Sequence, residues 1–216
     1  MLELGVKFLI AYFAGSVLGS ILVGRLAGGV DIRTMGSGNA GGTNALRTQG
    51  LPFALGVVVV DVGKGAFAAG IVPGLELPFV AQDPAISRTW LALCCAAAAV
   101  IGHVWPLWHN FRGGKGAATL VGTLAVLAPA LLVPLLLVFA AVLVLFGYVG
   151  LATMCAGLFV PAWLAATRLP ADQPLFAYCT TMGLYIVWCH RSNIRRMLAG
   201  TENRNPAVML FRRQGG

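Results

Sequence analysis

Long apolar runs alternate along the chain with short polar segments. The longest run covers residues 116–167, which are 52 consecutive positions without Asp, Glu, Lys or Arg. At about 1.5 Å per residue, a single helix of this length would be more than twice as long as the ~30 Å hydrocarbon core of a bilayer. The run must therefore fold back on itself. Other apolar runs predict membrane-spanning helices at about residues 4–24, 51–72, 88–107 and 174–190.

Proline and glycine mark candidate breaks inside the 52-residue run, because both interrupt helices where neighbouring groups can satisfy the backbone. Pro129 with Pro134, and Gly147 with Gly150, divide it into three short segments. The first two, within 117–148, would have only about 15 residues each, near or below the usual minimum for a span. With the four other runs, this division predicts seven transmembrane helices.

The composition supports a membrane protein. The chain has 216 residues, of which 58% are hydrophobic and 10% are charged, and its mean hydropathy is +0.84. Soluble domains carry roughly 25% charged residues, so this chain lacks the groups to cover a water-exposed surface. We predict an all-α, polytopic membrane protein with one membrane-embedded domain, 1–216. Disordered, coiled-coil, disulfide-scaffold and secreted classes do not fit.

The cysteines give no sign of a disulfide framework or a metal site. Their number is odd, they lie inside apolar runs, and they lack the spacing of metal ligands. We interpret them as reduced, small hydrophobic residues and expect no metal.

Basic residues predict the orientation in the membrane, because short loops rich in Lys and Arg face the cytoplasm. Eleven of the 15 cations form three clusters, which follow the first, third and last apolar runs. The clusters are Arg25, Arg33 and Arg47; Arg112 and Lys115; and Arg191, Arg195, Arg196, Arg204, Arg212 and Arg213. If all three face the cytoplasm, the amino terminus is outside and the carboxyl terminus inside. Because the cations adjoin apolar runs, anionic lipid explains them better than nucleic acid.

The first basic segment, GSGNAGGTNALR at 36–47, has four glycines in seven positions together with hydrogen-bonding side chains. Glycine lets the backbone approach a ligand and turn its N–H groups inward, which predicts an anion-binding loop. A flexible glycine-rich loop is the alternative. The candidate binding residues are Gly36, Ser37, Gly38, Asn39, Gly41, Thr43 and Asn44, with Arg47 as a cation.

The second segment, HVWPLWHNFRGGKGAAT at 103–119, places Gly113, Gly114 and Gly116 at the start of a predicted helix. Backbone N–H groups at a helix start bind phosphate, and Lys115 would neutralise its charge. Thr119 adds a hydroxyl. Gly116 stands where a Walker motif requires Ser or Thr, so ATP hydrolysis is not indicated. The aromatic residues fit an interfacial belt, and His103 alone fits a satisfied histidine at a helix end.

The third segment, HRSNIRRMLAGTENR at 190–204, places His190 and Asn193 on one helical face. Its arginines could serve the functional site or anchor the segment to lipid phosphates. We therefore expect membrane lipids to be partners of the protein. Inside the second predicted span, Asp61 and Lys64 are three residues apart and can pair. Ionisable groups at that depth are functional candidates, and a structural ion pair explains them equally well.

In this order, the three segments resemble the signature motifs of the bacterial acyl-phosphate:glycerol-3-phosphate acyltransferases, the PlsY family. The resemblance extends over the whole chain. It implies an inner-membrane enzyme, with its active site at the cytoplasmic face, that moves a fatty acyl group from acyl phosphate to the 1-hydroxyl of glycerol 3-phosphate. The products would be lysophosphatidic acid and phosphate, formed without cofactor, metal or coenzyme A.

The resemblance also assigns roles to residues. It implies that Ser37 and Arg47 are needed for activity, that Lys115 and its flanking glycines bind phosphate, and that His190 and Asn193 are a functional pair. Glu202 is expected to be structurally important. The general base is open between His190 and a substrate phosphate oxygen, because no histidine has an acid five positions later. A transporter for an organic phosphate is the main alternative function, although no internal repeat is evident.

Overall fold

The computed structural model describes residues 1–210, and this part of the chain is built from α-helices. In chain order they are α1 (Leu2–Ser16), α2 (Gly19–Leu26), α3 (Gly42–Gln49), α4 (Leu51–Gly70), α5 (Arg88–Val104), α6 (Ala117–Leu127), α7 (Leu132–Phe146), α8 (Val149–Thr167), α9 (Gln173–Cys189) and α10 (Arg191–Leu198). Short 3-10 turns lie at Ile32–Thr34, Val72–Gly74, Leu107–His109, Pro129–Leu131 and Pro206–Val208. Arg212 and Arg213 of the third basic cluster lie outside the described residues.

The all-α fold is confirmed for the described residues, whereas the count of seven spans stays a prediction. By length and hydropathy, the described residues contain four helical segments able to cross a bilayer: Leu51–Gly74, Arg88–His109, Pro129–Phe146 and Val149–Thr167. A fifth results if α1 and α2, which meet at 45°, cross as one broken span. Helix α6 has 11 residues, so at about 1.5 Å per residue it covers roughly half of the hydrocarbon core.

The structure corrects half of the predicted break points in the uncharged run. Pro129 begins the turn between α6 and α7, and Gly147 ends α7 with a left-handed φ of 77°. Pro134, however, is the third residue of α7. The N–H groups of a first helical turn have no acceptor within the helix, so proline is tolerated there. Gly150 is the second residue of α8 and ends no helix. Both were wrong as breaks because each lies in a first helical turn.

The chain forms two compact units, Met1–Pro129 and a second that begins at Ala130. In the first unit, α1 packs on α5 and α4 packs on α6. Both contacts depend on small residues. A Cβ on Gly15 would lie 2.2 Å from the Ala99 carbonyl oxygen, and one on Gly65 would lie 2.2 Å from that of Thr119. Glycine therefore lets these helix backbones touch, as is common in membrane proteins.

In the second unit, α8 packs against both α7 and α9. Helices α8 and α9 approach closely at Gly183, where a Cβ would lie 2.7 Å from the Gly157 carbonyl oxygen. Leu135 is the one buried residue of α7 in the described structure. The other residues of α7 are apolar and are exposed or half-buried, which suits contact with lipid.

Candidate active site

The first glycine-rich segment is organised around the side chain of Asn44, at the start of α3. Its Nδ2 lies 2.9, 3.0 and 3.0 Å from the carbonyl oxygens of Ile32, Met35 and Asn39, which share the two hydrogens of the amide. Its Oδ1 accepts from the backbone N–H of Ser37 at 2.9 Å. We expected Asn44 to contact phosphate, but the structure uses this buried amide to shape the loop.

The loop itself presents its backbone at the surface of the first unit. Gly36 and Gly38 have φ of 57° and 71°, in the left-handed region that other residues seldom adopt. Ser37 between them is exposed. Of the other candidates, Thr43 and Arg47 are exposed on α3, and Asn39 and Gly41 are half-buried. The geometry thus supplies an accessible turn with hydroxyl and guanidinium donors nearby.

The second segment forms a tight loop between α5 and α6. Gly116 has φ of 84° and precedes the first residue of α6. The Gly114 N–H donates to the His103 carbonyl oxygen at 3.1 Å, which folds the loop back on the end of α5. Lys115 is half-buried. Thr119 is fully buried where α6 meets α4, and its hydroxyl has no partner in the described structure, so its surroundings are those of a packing residue.

Arg33 joins the two loops. Its Nη1 donates to the Arg112 carbonyl oxygen at 3.3 Å. Its Nε and Nη2 donate to the two carboxylate oxygens of Asp31 at 3.0 and 2.7 Å. This contact keeps the pKa of the Asp31 carboxyl below its usual range and raises the pKa of Arg33. The sequence analysis missed this link between the loops. A signal was present, because an Asp and an Arg lie two positions apart, close enough to pair, just before the glycine-rich segment.

The combined loops are strongly cationic. Residues 25–50 and 105–116 contain five cations and a single carboxylate, Asp31. Clustered positive charge attracts anionic substrates and raises their local concentration. The first two predicted motifs therefore meet in one unit, where positive charge and glycine-rich backbone suit phosphate binding.

A buried ionic cluster lies next to the second loop. The Lys64 Nζ is 2.8 Å from Asp61 Oδ1 and 2.8 Å from His103 Nδ1. All three side chains are buried. The sequence analysis singled out Asp61 and Lys64 but interpreted His103 separately, because sequence spacing gave no sign that α4 and α5 bring them together.

The third segment, in the second unit, is held by a buried carboxylate. Glu202 accepts from Asn193 Nδ2 at 2.8 Å and from Arg196 Nε at 2.6 Å. Gly150 lies against Asn193, since a Cβ there would be 2.8 Å from Nδ2. His190 is buried between α9 and α10, and its Nδ1 donates to the Ile186 carbonyl oxygen at 2.8 Å. A neutral ring in this tautomer has Nε2 as its basic nitrogen.

A family model described as Glycerol-3-phosphate acyltransferase matches residues 6–200 of the chain. The chain belongs to this family. A glycerol-3-phosphate acyltransferase from Salinibacter ruber is 39% identical over 215 residues, covering 94% of this chain and 93% of the relative. One from Bacillus velezensis is 36% identical over 203 residues, with 94% and 96% covered.

Solved structures agree with this assignment. Two crystal structures of PlsY (YgiH), an integral membrane glycerol 3-phosphate acyltransferase, are 28% identical in sequence and cover 93% of this chain and 94% of theirs. The TM-scores are 0.77 for the glycerol 3-phosphate form and 0.76 for the lysophosphatidic acid form. The chain is therefore an integral membrane enzyme, an acyltransferase that acylates glycerol 3-phosphate, and the transporter alternative is set aside.

Proposed function

We propose that the acyl donor is an acyl phosphate and that the two loops joined by Arg33 bind the phosphate groups of the substrates. The observation that carries this proposal is the Arg33–Arg112 contact, which unites two glycine-rich, cationic segments. Two phosphorylated substrates need two sets of anion-binding groups, and each loop offers backbone N–H groups with a cation. Membrane lipid supplies the surroundings for the acyl chain.

The proposed reaction is a single acyl transfer. The 1-hydroxyl oxygen of glycerol 3-phosphate forms a bond to the acyl carbonyl carbon, and the bond from that carbon to the phosphate oxygen breaks. The hydroxyl proton passes to a base. Negative charge grows on the carbonyl oxygen and on the departing phosphate, where Lys115, Arg47 and loop N–H groups would stabilise it. No cofactor, metal or coenzyme A takes part in this scheme.

Two groups are candidates for the base: His190 and a phosphate oxygen of the substrate. The hydrogen bond from Nδ1 to Ile186 supports His190, because it directs basicity to Nε2. The kcat of the His190→Gln variant distinguishes between these two candidate bases. A loss of kcat on the order of a hundredfold or more is expected for a general base, whereas a phosphate base predicts little change in kcat.

We assign Ser37 to phosphate binding and not to covalent catalysis. Its backbone N–H is engaged by Asn44, and its hydroxyl lies at the exposed turn. Mass spectrometry of the enzyme, quenched after incubation with acyl phosphate in the absence of glycerol 3-phosphate, should find no acylated Ser37. An acyl group on that oxygen would contradict the direct-transfer scheme.

The proposed setting is a bacterial cytoplasmic membrane crossed seven times, with the amino terminus outside and the carboxyl terminus in the cytoplasm. The basic loops 25–50 and 105–116 support it, since short basic loops stay on the cytoplasmic side. Glycerol 3-phosphate and phosphate are water-soluble, so a site at this face would exchange both with the cytoplasm.

The deciding experiment uses purified enzyme with labelled glycerol 3-phosphate. Palmitoyl phosphate, palmitoyl-coenzyme A and palmitoyl-acyl carrier protein are supplied as donors in parallel. Lysophosphatidic acid formed from palmitoyl phosphate alone supports the proposal. Product from either thioester, but not from palmitoyl phosphate, would overturn the donor assignment.

Lys115→Ala tests phosphate binding at the second loop. Hydrogen bonds to charged groups contribute about 1.5–3 kcal/mol, so the KM for glycerol 3-phosphate should rise by about tenfold to a hundredfold. Arg168→Ala is the matched control, because it removes an exposed cation at the end of α8. Equal kinetics of Lys115→Ala and the control would remove Lys115 from the site.

A further inference from the structure

The buried cluster in the first unit satisfies every donor of Lys64. Its ammonium donates to Asp61 Oδ1 at 2.8 Å, to the Val17 carbonyl oxygen at 2.7 Å and to His103 Nδ1 at 2.8 Å. A charged ammonium has three N–H groups, so none is left over. Asp61 Oδ1 also accepts from the Gly19 N–H at 3.1 Å. The cluster thereby fastens α4 to the bend between α1 and α2.

This arrangement fixes the state of the His103 ring. Because Nδ1 accepts from Lys64, the ring proton must lie on Nε2. Fixed in this orientation by Lys64, the ring cannot flip without leaving one ammonium donor unpaired, which is unfavourable for a buried charge. The ring edge that carries Nε2 faces the second loop.

His103 is also the surface on which the second loop rests. A Cβ on Gly114 would lie 2.1 Å from His103 Nε2, and a Cβ on Gly113 would lie 1.9 Å from the His103 carbonyl oxygen. That same carbonyl accepts from the Gly114 N–H at 3.1 Å. The two loop glycines therefore touch both the ring and the backbone of this histidine.

We propose that Asp61, Lys64 and His103 are positioning residues, which hold Gly113 and Gly114 in the conformation that binds phosphate. The inference rests on the proposed role of this loop in binding glycerol 3-phosphate. Asp61 and Lys64 fix the imidazole, the imidazole supports the loop, and the loop places its N–H groups and Lys115. The three residues act through the loop and need not touch substrate.

A second buried ion pair in the same unit provides a matched control. Lys7 Nζ lies 2.8 Å from Glu3 Oε1, and both side chains are almost fully buried. This pair is near the start of α1, whereas the cluster adjoins the end of that helix, roughly 20 Å away by helical rise. Disrupting either pair should reduce stability, but only the cluster supports the phosphate loop.

The test compares His103→Leu, His103→Asn and Glu3→Gln by thermal unfolding and by steady-state kinetics with palmitoyl phosphate. His103→Leu should raise the KM for glycerol 3-phosphate on the order of tenfold to a hundredfold, the range expected when a hydrogen bond to a charged ligand is lost. His103→Asn can place Oδ1 near the Nδ1 position and should stay within about threefold of the wild type. Glu3→Gln should lower the melting temperature with an unchanged KM.

An unchanged KM in His103→Leu, or an equal rise in Glu3→Gln, would overturn the inference. If His103→Leu does not fold, Asp61→Asn, which keeps the size of the side chain, should raise the KM instead, and an unchanged value would again contradict us. If the wild type makes no lysophosphatidic acid from any donor, the proposed function fails by itself. Calorimetric binding of glycerol 3-phosphate to the same variants then tests the loop, with the same order of affinities expected.

Discussion

At the residue scale, buried amide side chains stabilise the loops around them through hydrogen bonds. Asn44 was expected to bind phosphate because Asn is a versatile donor, yet its side chain spans the first loop from Ile32 to Asn39. Asn193, expected in a functional pair, donates to Glu202. Sequence chemistry identifies such residues as important but cannot tell whether their partner is the loop or a ligand.

Asn44→Ala should destabilise the enzyme and reduce its activity together. The change removes the Asn44 partner of the Asn39 carbonyl oxygen and of the Ser37 N–H, and it removes one of two donors to the Ile32 and Met35 carbonyl oxygens. Each buried group left unsatisfied costs about 1–3 kcal/mol. Thermal unfolding in detergent should show a melting temperature lowered by several degrees. Gln49→Ala, also on α3 but bonded only weakly to Met35 Sδ, should match the wild type; similar loss in both variants would contradict this role for Asn44.

Glu202→Gln should loosen the end of α10. The buried carboxylate accepts from Asn193 and Arg196, and an amide at that position would turn an NH2 group toward one of these donors. Because Arg196 is only partly exposed, we expect a loss of about 1–3 kcal/mol in stability. The exposed Glu76→Gln is the control, and an equal melting temperature for the two variants would refute the structural role.

At the scale of elements, helix pairing in the first unit depends on glycines at contact points. Gly65 lies against Thr119, and Gly122 lies against the Val62 carbonyl oxygen, where a Cβ would be 2.0 Å away. The two glycines come from facing helices, α4 and α6. Their backbones could not approach this closely with any larger residue at either position.

Helix α4 offers a direct test, because two of its glycines lie two positions apart, Gly65 at the contact with α6 and Gly63 away from it. Gly65→Ala forces a Cβ onto the Thr119 backbone and should cost about 1–3 kcal/mol. Gly63→Ala meets nothing within 4 Å and should stabilise the helix by about 0.5–1 kcal/mol. Melting temperatures of the two variants should therefore move in opposite directions, and a parallel shift would contradict the proposed packing.

The short helices show where a pattern-based count of spans reaches its limit. The uncharged run does break at Pro129 and Gly147, as proline and glycine predicted. Yet α6, with 11 residues, is shorter than the usual minimum for a membrane span. Apolar composition indicates burial in lipid or protein, whereas the length of a helix depends on its caps and on the helices against which it packs.

At the scale of the whole molecule, the predicted orientation can be tested by labelling single cysteines in a variant without native cysteines. Thr34→Cys and Ser192→Cys lie in segments predicted to face the cytoplasm, and Gln82→Cys and Ala171→Cys lie in loops predicted to be outside. A membrane-impermeant maleimide should label the second pair in spheroplasts with intact inner membranes and the first pair only after lysis. Labelling of positions 34 and 192 from opposite sides would rule out the seven-span topology.

The sequence determined the class of protein and much of the candidate site. A charge content of 10% and the 52-residue uncharged run required a helical membrane protein, because a bilayer leaves the backbone few other ways to satisfy its hydrogen bonds. Three ordered motifs led to the family. These conclusions depend on the local composition and on the order of the motifs along the chain, and both can be read directly from the sequence.

The tertiary structure decided which groups meet. Asp31 and Arg33 connect to the loop of Arg112, and His103 joins Asp61 and Lys64, although the partners are 39 or more positions apart. The contacts of His103 follow from the packing of α1, α4 and α5, in which the backbones of α1 and α5 approach at Gly15 and Gly102. Sequence spacing carries no measure of distance between helices, and only the fold supplies it.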